Sequence, residues 1–526
     1  MTDAPQASNH PTGAETLIET LVNCGVDLCF TNPGTSEMHL VAAIDKVPGM
    51  RPVLGLFEGV VTGAADGYAR MTDKPAATLL HLGPGLANGI ANLHNARRAG
   101  SSIVNIVGDH ATFHQQHDAP LASDIDALAG TFSSWVRSAP DAASLAPLGA
   151  QAVSESLRSP GNISTLIVPA DSAWDAARMA AKPLPRPDAP IVKAADIEAA
   201  AKVLSSATKP AILIGGPAMY EDGLRIAGQI AKKTGAALHS DTFNKRIERG
   251  AGRVFASTLP YFGEMALDAL AGVDLLLIIG TKPPVAFFAY PGKPGLLVPD
   301  GCETHELCGR EADVMAALKD LANELDAGSV EPDYYKADRP DAPPSGDLTS
   351  GTIGHSIGAL MPEGAIVCDE GVSNGIASFL LTLGCPPHDW LNLTGGAIGM
   401  GMPLATGAGL GAPDRKVICL EGDGSGMYTV QALWTQAREN LDVTTVIFAN
   451  RTYNILNVEF ERTGSGEPGE KANSMLSIGD PDIDWVQMAN GMGVEAVRVD
   501  TAEGFTAAFA AAMAQKGPRL IEAVVP

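Results

Sequence analysis

Short apolar runs bounded by glycine, proline, asparagine or aspartate alternate along this chain with longer stretches whose apolar residues recur every three or four positions. The runs at 26–30, 53–58, 76–82, 103–108, 210–215, 274–280, 416–420, 443–449 and 519–525 read as buried strands. Another begins at 365 and leads into a helix by 374. The stretches at 14–24, 221–234 and 427–440 have the length and spacing of helices, and a small-residue helix opens at Glu58. Strand and helix in alternation predict parallel sheets covered by helices. Two proline-rich, charged passages, 182–190 and 331–345, cannot bury a core and read as linkers. The expected architecture is therefore α/β, with three parallel-sheet α/β domains at 1–181, 190–330 and 346–526 and no short-period repeat. No terminal helix is expected after the strand 519–525.

Composition narrows the partners. With 526 residues, 45% of them apolar, the chain can fill several cores. A net charge of −24 and the lack of any basic run argue against nucleic acid and anionic membrane. Seven scattered cysteines, Cys24, Cys29, Cys302, Cys308, Cys368, Cys385 and Cys419, read as reduced core thiols. No basic leader and no bilayer-length apolar stretch is seen, so a cytoplasmic protein is expected.

The chemistry concentrates at strand ends. Glu421-Gly422-Asp423-Gly424-Ser425-Gly426 follows one strand, and Asn450 ends the next, 27 positions after Asp423. A carboxylate and a carboxamide at neighbouring strand ends meet at the carboxyl edge of a parallel sheet, where such folds bind ligands. Hard oxygen donors there suit Mg²⁺, which takes its other ligands from water and phosphate. The glycines admit phosphate to backbone N–H groups at a helix start. Gly-Asp-Gly alone is also an ordinary turn; its pairing with Asn450 is what points to a metal. Glu58 ends an apolar strand and opens a helix, where it serves either as a catalytic acid or simply as a carboxylate stabilised by the helix dipole. His81 at a strand end reads either as a turn residue or as a proton carrier. Ser373 lies where a helix cap and a phosphate ligand look alike.

Asp423 to Thr452, together with Glu58 and Gly63-Ala64-Ala65-Asp66-Gly67-Tyr68-Ala69, resembles the thiamine diphosphate (ThDP) decarboxylase and acetolactate synthase superfamily. The resemblance implies pyrimidine-binding, central and diphosphate-binding domains, in that order. It makes Glu58 the activating acid on the pyrimidine N1′, and Asp423, Asn450 and the main-chain oxygen of Thr452 the Mg²⁺ ligands. It assigns the diphosphate to Ser373, Gly424 and Ser425, with Tyr453 beside them. In Gly395-Gly396-Ala397-Ile398-Gly399, the Gly396 carbonyl would accept from the aminopyrimidine and Ile398 would hold the cofactor bent. In the family the acid of one subunit serves cofactor held by another, which implies a homodimer or homotetramer.

Departures from the family shape the expected reaction. Gly83-Pro84-Gly85 with Asn88 is similar to acetolactate synthases, whereas His81 falls where benzoylformate decarboxylases carry a catalytic histidine. The synthase glutamine is replaced around Leu121 and Ala122, and the acidic, arginine-bearing segment expected after Gly280 is missing, so FAD is not expected. Gly215-Gly216-Pro217 is a poor dinucleotide turn. Phe287 stands in the loop where a second catalytic histidine would be, Leu456 where pyruvate decarboxylases have a glutamate, and Glu459 reads as a surface acid. Thr35, His110, Phe287, Ile455 and Leu456 are candidates for the substrate pocket; His114 and His117 have no assigned role.

The expected function is ThDP- and Mg²⁺-dependent, non-oxidative decarboxylation of a small-molecule 2-oxo acid through an enamine, with carboligase capability. Acetolactate synthesis without FAD is the alternative, followed by 2-hydroxyacyl-CoA cleavage or a catalytically silent ThDP-binding subunit.

Overall fold

The computed structural model describes residues 10–340 and 345–526. Residues 341–344 of the second proline-rich passage lie outside the described residues, as do residues 1–9 of the segment read as having no leader. The chain forms two compact units. The first comprises Met1–Asp188, Gly395–Ala412 and Thr429–Glu439; the second comprises Ala189–Thr394, Pro413–Tyr428 and Asn440–Pro526. The break at Asp188 falls inside the first proline-rich passage.

The first unit is built on six parallel strands: β1 (Leu28–Asn32), β2 (Arg51–Leu54), β3 (Ala76–Leu80), β4 (Ile103–Asp109), β5 (Trp135–Ser138) and β6 (Ile163–Pro169), in the order β2-β1-β3-β4-β6-β5. Burial of every residue of β3 and β6 reflects helices on both faces of the sheet. One of these, Glu58–Thr72, buries 13 of its 15 residues. It packs on Gly401–Gly411 with backbones in near contact: a Cβ on Gly67 would stand 2.1 Å from the Leu404 carbonyl oxygen, and one on Gly407 would stand 1.9 Å from that of Ala64. Only glycine permits this approach. It draws the segment 395–412, expected within the last domain, into the core of the first unit.

The second unit holds two sheets. β7 (Pro210–Ile214), β8 (Ala237–Ser240), β10 (Ser257–Thr258), β11 (Leu275–Ile279) and β12 (Glu303–Cys308) form one, in the order β10-β8-β7-β11-β12. The other is β17-β18-β16-β15-β13-β14-β9, from β13 (Ile366–Glu370), β14 (His388–Asn392), β15 (Val417–Gly422), β16 (Val443–Ala449), β17 (Glu495–Val499), β18 (Arg519–Val524) and β9 (Ile247–Arg249). β9 is its one antiparallel member, pairing Ile247 with Trp390. The three sheets are thus parallel α/β layers as expected, with β9 an addition from the middle of the chain. Of the helix expected over 427–440 only Ala432–Arg438 is helical, with a separate single turn, Asp423–Gly426, ahead of the span.

Candidate active site

In the first unit three strand ends converge. β1 pairs with β3 through Asn32 and Leu80, so the turn after β1 and His81 after β3 emerge side by side. The turn folds around Glu37, whose carboxylate accepts from the Gly34 amide (2.8 Å) and the Ser36 hydroxyl (2.8 Å). Glu37 is fully buried, in space that Gly108 at the end of β4 leaves open: a Cβ there would lie 1.8 Å from Glu37 Oε1. His81 Nδ1 lies 2.7 Å from Glu37 Oε2. That contact occupies Nδ1, and Nε2 is the ring nitrogen left to exchange protons. Nε2 has no protein partner among the described residues, and the side chain stays 23% exposed. Leu82 follows in the left-handed region (φ 48°), which turns the chain sharply into the helix Leu82–Ala99. Such strain in a non-glycine residue is typical of sites where geometry is imposed. Thr35 is exposed in the same turn.

Glu58 is buried at the start of its helix, and Oε2 accepts from Asn88 Nδ2 at 3.0 Å, which offsets part of the cost of its burial. The Gly395–Gly399 turn sits in this same unit, against side chains of the helix Leu82–Ala99, with Gly396 and Gly399 both at positive φ (76° and 93°). His110, just past β4, has Nε2 buried without a partner, and the rings of His110, His114 and His117 meet in tilted contacts with centres 5.4 and 5.6 Å apart. Burial pushes the neighbouring Asp109 carboxyl up.

In the second unit β15 and β16 run side by side through the pair Gly422–Phe448, bringing the Asp423 and Asn450 segments to one edge. Asp423 is buried, and its carboxylate accepts from the amides of Gly424 (2.9 Å) and Arg451 (2.6 Å). Burial still raises its pKa, outweighing the lowering effect of these amides and of the Arg451 charge. A desolvated carboxylate beside a carboxamide suits a small hard cation. Asn450 Oδ1 accepts from the Thr452 amide at 3.2 Å. The Ser425 hydroxyl donates to buried Glu421 (2.9 Å), so the side chain braces the turn. Gly424 lies under the Tyr453 ring, where a Cβ would come within 2.4 Å. Val372 (φ 48°) and Arg451 (φ 59°) hold left-handed conformations at the ends of β13 and β16, which flank β15. A β-branched residue there is a marked outlier. Ser373 follows Val372, with Asn454 Nδ2 3.5 Å from its hydroxyl.

The helix Asn454–Arg462 buries none of its residues, and Leu456 is 44% exposed. Phe287 packs with Phe243 (5.7 Å), Tyr261 (5.3 Å) and Phe288 (4.9 Å). Tyr290 donates to Glu459 at 2.8 Å, so Glu459 is a half-buried acceptor and not the surface acid expected. Arg462 lies 4.2 Å from the Phe262 ring centre and forms a two-point ion pair with Glu264.

Two features escaped the sequence reading. Glu37 could have been found from the Gly34-x-x-Glu37 spacing, in which the acid reaches back to the first amide. The aromatic cluster comes from loops far apart in sequence and left no local signal.

The model of the thiamine pyrophosphate enzyme N-terminal TPP binding domain matches residues 11–129, and that of the C-terminal TPP binding domain matches residues 371–523. A protein of Mycobacterium tuberculosis named "Putative acetolactate synthase large subunit IlvX" is 53% identical over 98% of this chain and 99% of its own. The benzoylformate decarboxylase of Pseudomonas aeruginosa is 28% identical over 96% of this chain and 97% of its own. Among solved structures, the thiamine diphosphate-dependent 4-hydroxybenzoylformate decarboxylase of Rhodococcus jostii RHA1 superposes with a TM-score of 0.84 at 27% identity, covering 98% of this chain and 99% of that one.

Proposed function

The chain belongs to the thiamine pyrophosphate enzymes of decarboxylase and acetolactate synthase type, and from that premise we propose that it decarboxylates a 2-oxo acid non-oxidatively, with ThDP and Mg²⁺. The observation that carries this reading is the His81–Glu37 pair. Release of an aldehyde requires a proton delivered after CO₂ leaves; an imidazole held at Nδ1 by Glu37, with Nε2 accessible, can take up a proton at Nε2 from solvent and then, as the imidazolium, give it up there. When bound, ThDP supplies the carbanion that attacks the ketone and the ring that takes up the electrons left by CO₂.

The residues divide the work. Glu58 exchanges a proton with the pyrimidine. Asp423, Asn450 and the Thr452 carbonyl hold Mg²⁺, and the Gly424 and Ser425 backbone with Ser373 receives the diphosphate. Gly396 and Ile398 fix the aminopyrimidine, with Tyr453 flanking the cofactor. Thr35, His110, Phe287, Ile455 and Leu456 face the substrate. FAD has no place in this reading, and the working unit is a homodimer or homotetramer. The second reading, acetolactate synthesis, is favoured by the name of the Mycobacterium tuberculosis relative.

Incubation of the pure protein with ThDP, Mg²⁺ and a panel of 2-oxo acids, with products followed by NMR, tests both. Aldehyde as the main product, lost in His81→Ala, supports decarboxylation; a hydroxyketone acid made from pyruvate at the wild-type rate in His81→Ala overturns it in favour of the synthase.

A further inference from the structure

The helix Asn454–Arg462 follows directly on Tyr453, whose ring covers Gly424, and it buries none of its 9 residues. Apolar packing, the usual source of a short helix's stability, therefore says little about where it lies. Its first turn is fixed through the metal-side loop: the Tyr453 amide donates to the Leu476 carbonyl (2.9 Å), and Asn457 Nδ2 donates to the Thr452 hydroxyl (3.1 Å). Its far end is held by side chains. Ile455, Glu459 and Arg462 stand at i, i+4 and i+7, on one face. Glu459 accepts from the Tyr290 hydroxyl at 2.8 Å. Arg462 donates to both oxygens of Glu264 (2.5 and 2.9 Å), with its guanidinium 4.2 Å from the Phe262 ring centre and 5.1 Å from that of Tyr290.

The segments that receive these contacts also carry Phe287. Phe262 packs on Tyr261 (5.1 Å) and Tyr261 on Phe287 (5.3 Å), while Tyr290 lies three residues beyond Phe287. The ties thus join the two elements that hold the apolar candidates for the substrate pocket, Ile455 and Leu456 on one and Phe287 on the other. Both belong to one chain, the same chain whose Asp423 and Asn450 would hold the metal. A cation in the last turn of a helix is favoured by the helix dipole anyway, and an exposed ion pair by itself is weak. Neither of those effects calls for a planar two-point donor stacked on two rings, which lysine cannot supply.

We propose that Arg462 is a positioning residue for the substrate side of the site: by clamping the helix Asn454–Arg462 to Glu264, Phe262 and Tyr290, it sets the separation of Ile455 and Leu456 from Phe287. The proposal rests on the ThDP reading above, which places these three residues at the substrate. A helix released at its far end no longer holds that separation, so substrate binding suffers while the cofactor, held from the first turn side, does not.

The test compares wild type with Arg462→Ala, Arg462→Lys, Glu264→Gln and the double variant Arg462→Ala/Glu264→Gln. Arg462→Lys keeps the charge at the helix end and loses the two-point geometry. Glu264→Gln leaves the helix sequence intact and is the gentler variant should a change at Arg462 fail to fold. Hydrogen–deuterium exchange with and without ThDP and Mg²⁺ reads residues 454–463, fluorescence titration reads ThDP affinity, and steady-state kinetics on the panel of 2-oxo acids reads KM and kcat. We expect each single variant to lose about tenfold in protection at 454–463 and to raise KM about tenfold, with kcat and ThDP affinity within about threefold. The double variant should add less than about twofold to Arg462→Ala, because the two residues act as one unit. Wild-type protection and KM in Arg462→Lys overturn the proposal in favour of simple helix-end charge. A helix that exchanges freely while KM stays at its wild-type value overturns it as well, and both outcomes leave the ThDP reading standing. Failure of the wild type to bind ThDP, or to turn over any 2-oxo acid, overturns that reading and the proposal with it.

Discussion

Two polar interiors in this molecule are built on opposite principles. One face of the helix Leu82–Ala99 is neutral: the carboxamides of Asn92 and Asn95 bond the backbone carbonyls of Gly59, Ala397 and Gly399 and the Ala397 amide. The edge where β9 joins β14 is charged. There Arg249 is buried against Phe379 (4.1 Å) and Trp390 (4.9 Å), with Nε and Nη1 unpartnered, and burial pulls its pKa down to about 9. Burial pushes Asp369 up to about 6, although it accepts from Gly371 and Trp390. It drives His388 down to about 3, with Arg249 adding to the effect. The contrast teaches where each device is useful. A neutral network keeps its spacing at every pH, as a site that moves protons requires, whereas buried charge makes stability depend on pH.

The largest effect is expected at Glu58. Glu58→Gln keeps the Asn88 contact through the amide oxygen but cannot exchange a proton. ThDP should still bind, with C2–H exchange and turnover falling about 1,000-fold, equivalent to about 4 kcal/mol. Exchange at the wild-type rate would remove Glu58 from the chemistry and leave the neutral interior without a catalytic purpose.

Next comes the packing that holds that interior. Gly67→Ala places a methyl group against the Leu404 carbonyl oxygen, where neither backbone can yield cheaply. A loss of about 3 kcal/mol is expected in chemical denaturation. A loss below about 0.5 kcal/mol would mean that the two helices move apart freely, so that the neutral interior is less rigid than its hydrogen bonds imply.

The same division explains what could be read from the sequence. The sheets announced themselves because strands buried on both faces are continuous apolar runs, as in Leu275–Ile279 and Val443–Ala449. Glu58 and Asp423 stood out because a carboxylate at the end of an apolar strand has few structural reasons to be there. β9 was missed since three residues, Ile247–Arg249, carry no periodicity, and their pairing with β14 is a long-range event. The break-up of the helix expected over 427–440 was also hidden: its apolar spacing is helical throughout, yet the Asp423–Gly426 turn comes first and helix resumes only at Ala432. The substrate side stayed illegible because Phe243, Tyr261 and Phe287 meet only after three loops are placed.

The charged interior yields the smallest and most specific prediction. His388 is neutral in the folded protein down to about pH 3, whereas its ordinary value is 6.5. Below pH 6.5 the unfolded chain therefore binds a proton that the folded chain refuses, so stability is fully present above that pH and declines as pH falls toward 3. At pH 5 the loss from this one group is about 2 kcal/mol. His388→Asn can still donate to the Pro386 carbonyl, the partner of Nδ1 in the wild type. The cavity it leaves costs the same at every pH, so the slope of stability between pH 7 and pH 5 carries the information. The variant should lose less stability than wild type over that interval, measured by urea denaturation at fixed ionic strength. Equal slopes would mean that the histidine is protonated in the folded state, and that the β9–β14 edge accommodates charge as readily as the asparagine row accommodates amides.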